Sequence, residues 1–372
     1  MNMIFALPPE ASLQISLPLN GCDNGTVQGL EFMAKELAQL LELSRVYIAY
    51  EDQLEDAHGQ SYYLPVRTLT LEQARSLGIE GPADLYGGVV PYEFLAYKCV
   101  THPLPQADMV RPQGWNDELS LSLRHDVLPG FSVFSAEDAL RTMSLLDQAG
   151  QAGIRVKLAV ANAGKGQSVV YSRHELEELL ALPAWKDQLA HGLVLEENLP
   201  QSHTFSVGQT QIGDLLLSYI GQQHQTLNHA GESVYGGTTL LAARGGFDQL
   251  FQLKAVERAR YLIDVALDYE KRISAAYPQF YASRRNYDVI LGRNARGEYK
   301  AGVLEHSWRC GGASVAEILA LRTLQRHPER THTHAWTRER YVTDAASVQD
   351  SPNLYSLSME DGGYLARFGG PL

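Results

Sequence analysis

The chain has 372 residues, enough for two or three packed units rather than one small core. Hydrophobic residues make up 45% and charged residues 20%, the ordinary balance of a soluble globular protein. The formal charge of −12 argues against general binding to nucleic acid or to an anionic membrane, both of which select basic patches.

Cys22, Cys99 and Cys310 are widely spaced, odd in number and without a C-x-x-C. Reduced thiols in a cytoplasmic protein are therefore expected, not a disulfide framework or a structural zinc. The N-terminal stretch lacks a basic n-region and is broken early by prolines, so no signal peptide is expected. No apolar run approaches the roughly 20 residues of a membrane helix.

In chain order, Leu30, Met33, Leu37, Leu40 and Leu41 give helical spacing over 26–43. A strand follows from Val46 to Tyr50. Residues 61–69 read as a strand, and Thr70 as the N-cap of a helix over 70–77. A loop rich in proline, glycine and polar residues, THPLPQADMVRPQGW, then separates this part from the rest. Beyond it come a strand in LPGFSVF, a helix over 136–149 capped by Ser135, and strands in IRVKLAV and SVVYS joined by the loop NAGKGQ. A helix at 173–181 precedes a strand, GLVLEEN. A hairpin turns at Gly213-Asp214, a long helix spans 248–275, and a last hairpin, YDVILG and EYKAGVLEHS, turns through RNARG. GGAS leads into a helix at 314–325. The remaining residues, polar and His-rich, show no assignable period. Hairpins alternating with helices favour α+β layers over a doubly wound parallel sheet.

The chemistry concentrates in the last hairpin. With its turn centred between Arg296 and Gly297, Asp288 and Glu305 face each other, and opposed Cβ atoms lie roughly 4.5–5.5 Å apart. Two carboxylates so close repel unless a cation sits between them or they share a proton. Ser307 lies on the same face, and this oxygen set suits Mg²⁺. A one-residue slip of register separates the pair and leaves two exposed acids. Lys157 projects mid-strand from the polar face, costly to bury without an anion. Gly164 and Gly166 flank Lys165, a loop whose backbone N–H groups can approach phosphate oxygens, although turn chemistry alone explains a G-K-G. It is neither a Walker A nor a G-x-G-x-x-G motif. Glu196 and Glu197 end an apolar strand. Arg284 shares the face of Asp288, and Arg309 follows Glu305; arginines there can stabilise developing negative charge.

The order of these pieces (strand lysine, glycine loop, strand ending in L-E-E, long helix, R-x-x-x-D, hairpin, E-x-S-x-R-x-G-G) resembles the ATP-grasp superfamily over residues 128–320. Phrases such as ASRRNYDV and GVLEHSWRCGGAS resemble an uncharacterised bacterial family related to ATP-grasp ligases. The resemblance implies an ATP-grasp fold of two α+β subdomains gripping ATP, preceded by a small N-terminal α/β domain: 1–110, then 111–195 with the glycine loop, 196–330 with the metal site, and a C-terminal tail, 331–372. It implies that Lys157 and Lys165, with Gly164 and Gly166, hold phosphates, and aligns Lys98 loosely with an earlier phosphate lysine. Glu196 and Glu197 would lie at adenine and ribose, Asp288, Glu305 and Ser307 on Mg²⁺, and Arg309 at the reacting acyl phosphate; Arg284, on the face of Asp288, is the second catalytic candidate. The function implied is ATP-dependent ligation of a small-molecule or peptide-like carboxylate to an amine with release of ADP; a homodimer is left open. Ser307 stands where the family has asparagine, and Thr204 where some relatives have a ribose-binding glutamate. These departures keep open a nucleotide-binding regulator or a catalytically weak member. A third reading is an unrelated metal protein using His332 and His334.

Overall fold

The structure, a computed structural model, describes residues 11–17, 24–50, 61–146, 153–161 and 166–372. Cys22, Gly164 and Lys165 lie outside them.

The N-terminal unit begins with β1 (Ser12–Leu17), α1 (Asn24–Leu40), β2 (Arg45–Tyr50) and β3 (Ser61–Pro65). The strands form a parallel sheet in the order β2-β1-β3. Leu30, Met33, Leu37 and Leu40 of α1 are buried, as their spacing requires. β4 (Leu69–Thr70), α2 (Leu71–Ser76) and β5 (Gly88–Val90) follow. Thr70 closes a capping box: its hydroxyl accepts from the Gln73 amide at 3.3 Å and the Gln73 side chain accepts from the Thr70 amide at 2.9 Å. Two 3₁₀ turns, Glu93–Ala96 and Lys98–Thr101, and α3 (Asp117–Ser122) lead onward.

The second unit is a four-stranded antiparallel sheet, ordered β6-β9-β7-β8. Its elements are β6 (Gly130–Val133), α4 (Ala136–Leu146), β7 (Ile154–Leu158), β8 (Gln167–Val170), α5 (Arg173–Ala181), α6 (Pro183–Lys186) and β9 (Leu193–Glu197). Met143, Leu146, Leu176 and Leu180 of the helices pack on Val133, Val156 and Leu195. A domain boundary at 195/196 would cut through β9.

The third unit contains β10 (Gln201–Ile212), β11 (Leu215–Leu227), β12 (Ser233–Arg244), α7 (Phe247–Phe251), α8 (Arg260–Ala276), β13 (Tyr281–Ala282), β14 (Arg284–Arg293), β15 (Tyr299–Ser307), α9 (Ser314–Arg326), β16 (His332–Val342), β17 (Leu354–Glu360) and β18 (Gly363–Pro371). Its sheet has eight strands in the order β15-β14-β10-β11-β12-β16-β18-β17. β13 pairs instead with β5, tying this unit to the first. Alternate residues of β11 face opposite ways: Leu217 and Tyr219 join a core with α1 and α9, Ile220 a core with α8.

Two expectations change. The long helix over 248–275 is broken, because Leu253 adopts an extended backbone (ψ 118°) between α7 and the 3₁₀ turn Lys254–Ala259. The break lets Leu250, Val256 and Leu262 reach one core. The C-terminal tail, 331–372, is corrected to three strands of the large sheet. Its period is hidden because the buried positions of β16 include Thr333, Ala335 and Thr337, which are not strongly apolar. Among the described residues, no helix is long and apolar enough to cross a membrane.

Candidate active site

β14 and β15 bring Asp288 opposite Glu305. They do so by a route that simple turn counting misses. Between the turn and Val289 the paired residues run one position out of the assumed register, with Val289 opposite Val303. A bulge at Leu304 then restores the Asp288–Glu305 pairing. Both carboxylates fall on the sheet face that carries α9, since Tyr287 and Val289 point to the α8 core.

Each acid has a different environment. Asp288 accepts from Asn286 Nδ2 at 2.9 Å and from Ser206 Oγ at 3.5 Å. Burial and then the Glu305 charge push its carboxyl up to about 6. Glu305 is also subject to burial, which by itself would raise it. The Lys98 ammonium, 2.8 Å from Oε2, outweighs that and with Arg309 and Lys157 carries it below the ordinary carboxylate value. Lys98 is buried in the 3₁₀ turn after Tyr97 and also donates to the Ala161 carbonyl.

Lys157 is likewise buried on an acid of the protein, with its ammonium 2.8 Å from Glu196 Oε1. The Leu304 carbonyl, at the bulge, lies 3.5 Å from the same ammonium. Glu196 itself is 1% exposed, in mid-sheet between Gly130 and Arg155. Glu196 is expected at adenine or ribose; here its carboxylate faces Lys157 and its backbone pairs with β6 and β7. Glu197 is held by Asn294 Nδ2 at 3.0 Å. Gly166 closes the β7–β8 turn at φ 63°, its carbonyl accepting from the Leu158 amide at 2.9 Å.

Arg284, the second catalytic candidate, is buried and does not line the cleft. Its Nη2 meets Glu317 at 2.7 Å, and its Nη1 donates to the Ser307 hydroxyl at 3.0 Å and to the carbonyls of Ser307 and Arg309. With a guanidinium nitrogen against its hydroxyl, Ser307 would meet a metal ion only in competition with Arg284. Arg309 does line the cleft.

A cavity of about 620 Å³ opens beside Glu305, Ser307 and Arg309. All three units wall it: Thr26 and Gly29 of α1, Thr68, Ala159, and Glu339 and Arg367 of the C-terminal strands. Gly312 lies on its wall because a Cβ there would stand 2.6 Å from the Tyr235 ring. Glu196 and Glu197 line no part of it. The α1 and C-terminal contributions escape sequence reasoning; the opposed charges of Glu339 and Arg367, 3.1 Å apart across β16 and β18, are the one available signal. Among the described residues, no group of three or more His, Cys, Asp or Glu side chains could hold a metal ion, and no third such ligand joins His332 and His334.

Two buried histidines flank the site. His306 places Nε2 2.7 Å from the Leu95 carbonyl and Nδ1 2.9 Å from the Tyr269 hydroxyl, which suits the neutral ring. His102 lies 3.7 Å from Glu196. Burial holds both rings down to about 4. Unfolded rings titrate near 6.5, so between about 4 and 6.5 the unfolded chain binds more protons and stability rises with pH. Asp288, raised in the fold, works the other way between its ordinary value and about 6. The two rings together outweigh Asp288, so a loss of stability on acidification through this range is expected. Urea midpoints between pH 7 and 5 test this, and His102→Gln should flatten the dependence.

The sequence of residues 22–368 matches the model of a family described as "Protein of unknown function (DUF3182)". No curated protein matches. Among solved structures, the fold is similar to N5-carboxyaminoimidazole synthetase from Staphylococcus aureus complexed with ADP (TM-score 0.60, 13% identity, 99% of this chain and 94% of that one). It is also similar to phosphoribosylamine–glycine ligase from Thermotoga maritima (0.54, 10%, 97% and 92%). A third similar structure is biotin carboxylase from Campylobacter jejuni in a β-γ-ATP complex (0.53, 11%, 97% and 87%). These are ATP-grasp ligases, and the chain has the ATP-grasp fold.

Proposed function

The chain belongs to the DUF3182 family, and we propose that it is an ATP-dependent ligase that joins a carboxylate to an amine. A carboxylate oxygen would attack the terminal phosphorus of ATP, releasing ADP and leaving an acyl phosphate. The amine would then displace phosphate, forming the amide and losing a proton. The observation that carries this reading is Glu305, which lies opposite Asp288 of the neighbouring strand and lines a cavity of about 620 Å³ together with Lys98 and Arg309.

The donor set fits Mg²⁺, which takes one or two carboxylates and completes its shell with water and phosphate oxygens. Burial and then the Glu305 charge raise Asp288, which a bound cation or a shared proton would relieve. Asp288 and Glu305 would hold the ion, and when bound it would neutralise phosphate charge. The chain's own share is positioning and electrostatics. Lys98, on the cavity wall, supplies a cation at the phosphate side, Lys165 is the further candidate, and Lys157 would serve there only by leaving Glu196. Arg309 faces the cavity, where it can orient the carboxylate and stabilise negative charge on the acyl oxygen. Walls from three units can keep bulk water from the acyl phosphate.

The test is ADP release from Mg-ATP across panels of carboxylates and amines. Once a turning-over pair is found, Glu305→Gln is expected to lower the rate by about 100-fold or more. Undiminished turnover in that variant would remove Glu305 from the site. The rival reading, a nucleotide-binding regulator, draws on Ser307 being held by Arg284 and Glu196 by Lys157. It requires ATP binding with no ADP release from any pair.

A further inference from the structure

Lys98 and a metal ion would compete for Glu305, because two cations held at one carboxylate repel. The ammonium stands 2.8 Å from Oε2, and the lysine is 5% exposed. The neighbouring acid is treated differently: Asp288 takes its hydrogen bonds from Asn286 and Ser206, which are uncharged. The cation is therefore on Glu305, and the repulsion between the acids is relieved from that side alone. Lys98 also donates to the Ala161 carbonyl just beyond β7, so its head group joins Glu305 to the second unit. Its backbone is anchored, since Cys99, Thr101 and His102 are buried on the following turn. The four-carbon side chain is the part that can move.

We propose that Lys98 is a stand-in cation: its ammonium neutralises Glu305 until a divalent metal takes that place, and the displaced ammonium then turns to the phosphates of the nucleotide. Two cations on one carboxylate repel, whereas an ammonium released beside a polyphosphate finds a new partner. Metal loading and phosphate binding become coupled through one side chain, and each ligand strengthens the other. The inference rests on the metal site proposed above.

The test uses Mn²⁺ alone, titrated without nucleotide into the full chain and into Lys98→Met. Removing the competing ammonium is expected to tighten Mn²⁺ binding by about tenfold or more, while ADP binding in the presence of Mn²⁺ weakens by a similar factor. Lys98→Arg, which keeps the charge, should bind Mn²⁺ no more tightly than the parent. Equal or weaker Mn²⁺ binding by Lys98→Met would overturn the proposal. A measurement on the unaltered protein guards against a variant that fails to fold. Acetylation of Lys98, followed by mass spectrometry against exposed Lys254, should increase when Mn²⁺ is added alone. Unchanged labelling would overturn the stand-in role. If the parent and Glu305→Gln bind Mn²⁺ indistinguishably even with ADP present, the metal site itself fails. If only the Lys98 measurements are flat, the metal site stands and the coupling fails.

Discussion

Replacing Glu317 by leucine should cost about 3–5 kcal/mol of unfolding free energy, the loss expected when one partner of a buried ion pair is removed. Glu317 and Arg284 are each fully buried. The carboxylate accepts from Arg284, from the Tyr86 and Tyr219 hydroxyls at 2.7 Å, and from the Thr210 hydroxyl at 2.8 Å. Tyr86 belongs to the first unit, Thr210 and Tyr219 to the large sheet, and Glu317 to α9, so one side chain joins three elements. The guanidinium cannot escape the change by losing its proton. It would remain charged among buried hydroxyls, still tied to the carbonyls of Ser307 and Arg309. Arg284→Met combined with Glu317→Leu should recover much of the loss, because an apolar pair leaves no uncompensated charge. Urea unfolding of the two single variants and the double variant gives the cycle. A loss under about 1 kcal/mol in Glu317→Leu would mean that solvent reaches Arg284.

Lys157→Met should be nearly as damaging, and in a way that can be followed at a second residue. Lys157 and Glu196 are 3% and 1% exposed. Without the ammonium, Glu196 is a buried carboxylate whose ionisable neighbour, His102 at 3.7 Å, is neutral near neutral pH. The direct cost is again about 3–5 kcal/mol near neutral pH. Lys157 is one of the groups holding the His102 ring down, and Glu196 acts in the opposite direction. The variant ring should therefore titrate well above the present value of about 4, visible in the pH dependence of its NMR signals. Protonation of His102 or Glu196 would restore neutrality, so the stability deficit should shrink as the pH falls. An unmoved His102 would show that the three groups are not coupled. Since Lys157 supports the apo fold, nucleotide-induced stabilisation of its variants is read against each variant's own unliganded midpoint.

Local periodicity and capping made most elements readable in advance. The apolar spacing of α1, the Thr70 cap and the Gly213 turn depend on neighbours within a few residues, and each has its expected place. The helix over 248–275 failed because its continuous polar and apolar pattern carries no sign that Leu253 must turn to bring two segments onto one core. β16 failed for the opposite reason, since threonine and alanine fill its buried face. The carboxylate pair is the most instructive case. Asp288 and Glu305 do face each other, but the assumed turn register was one residue out, and the bulge at Leu304 compensated. A two-residue period reverses every side chain after such a shift, so the sequence alone could not distinguish the two outcomes.

The sequence by itself determined which chemistry was on hand: two carboxylates and a following arginine on one hairpin, a mid-strand lysine, a glycine loop, and the element order of an ATP-grasp chain. These are local or ordered features, and a linear reading preserves them. Only the tertiary structure decided which charge meets which. It put Lys98 on Glu305, Lys157 on Glu196 and Arg284 on Glu317, across separations of tens to hundreds of residues. It also drew α1 and the C-terminal strands to the same cavity. The reason is physical: burial makes every charge find a partner, and packing, rather than sequence spacing, brings that partner within reach.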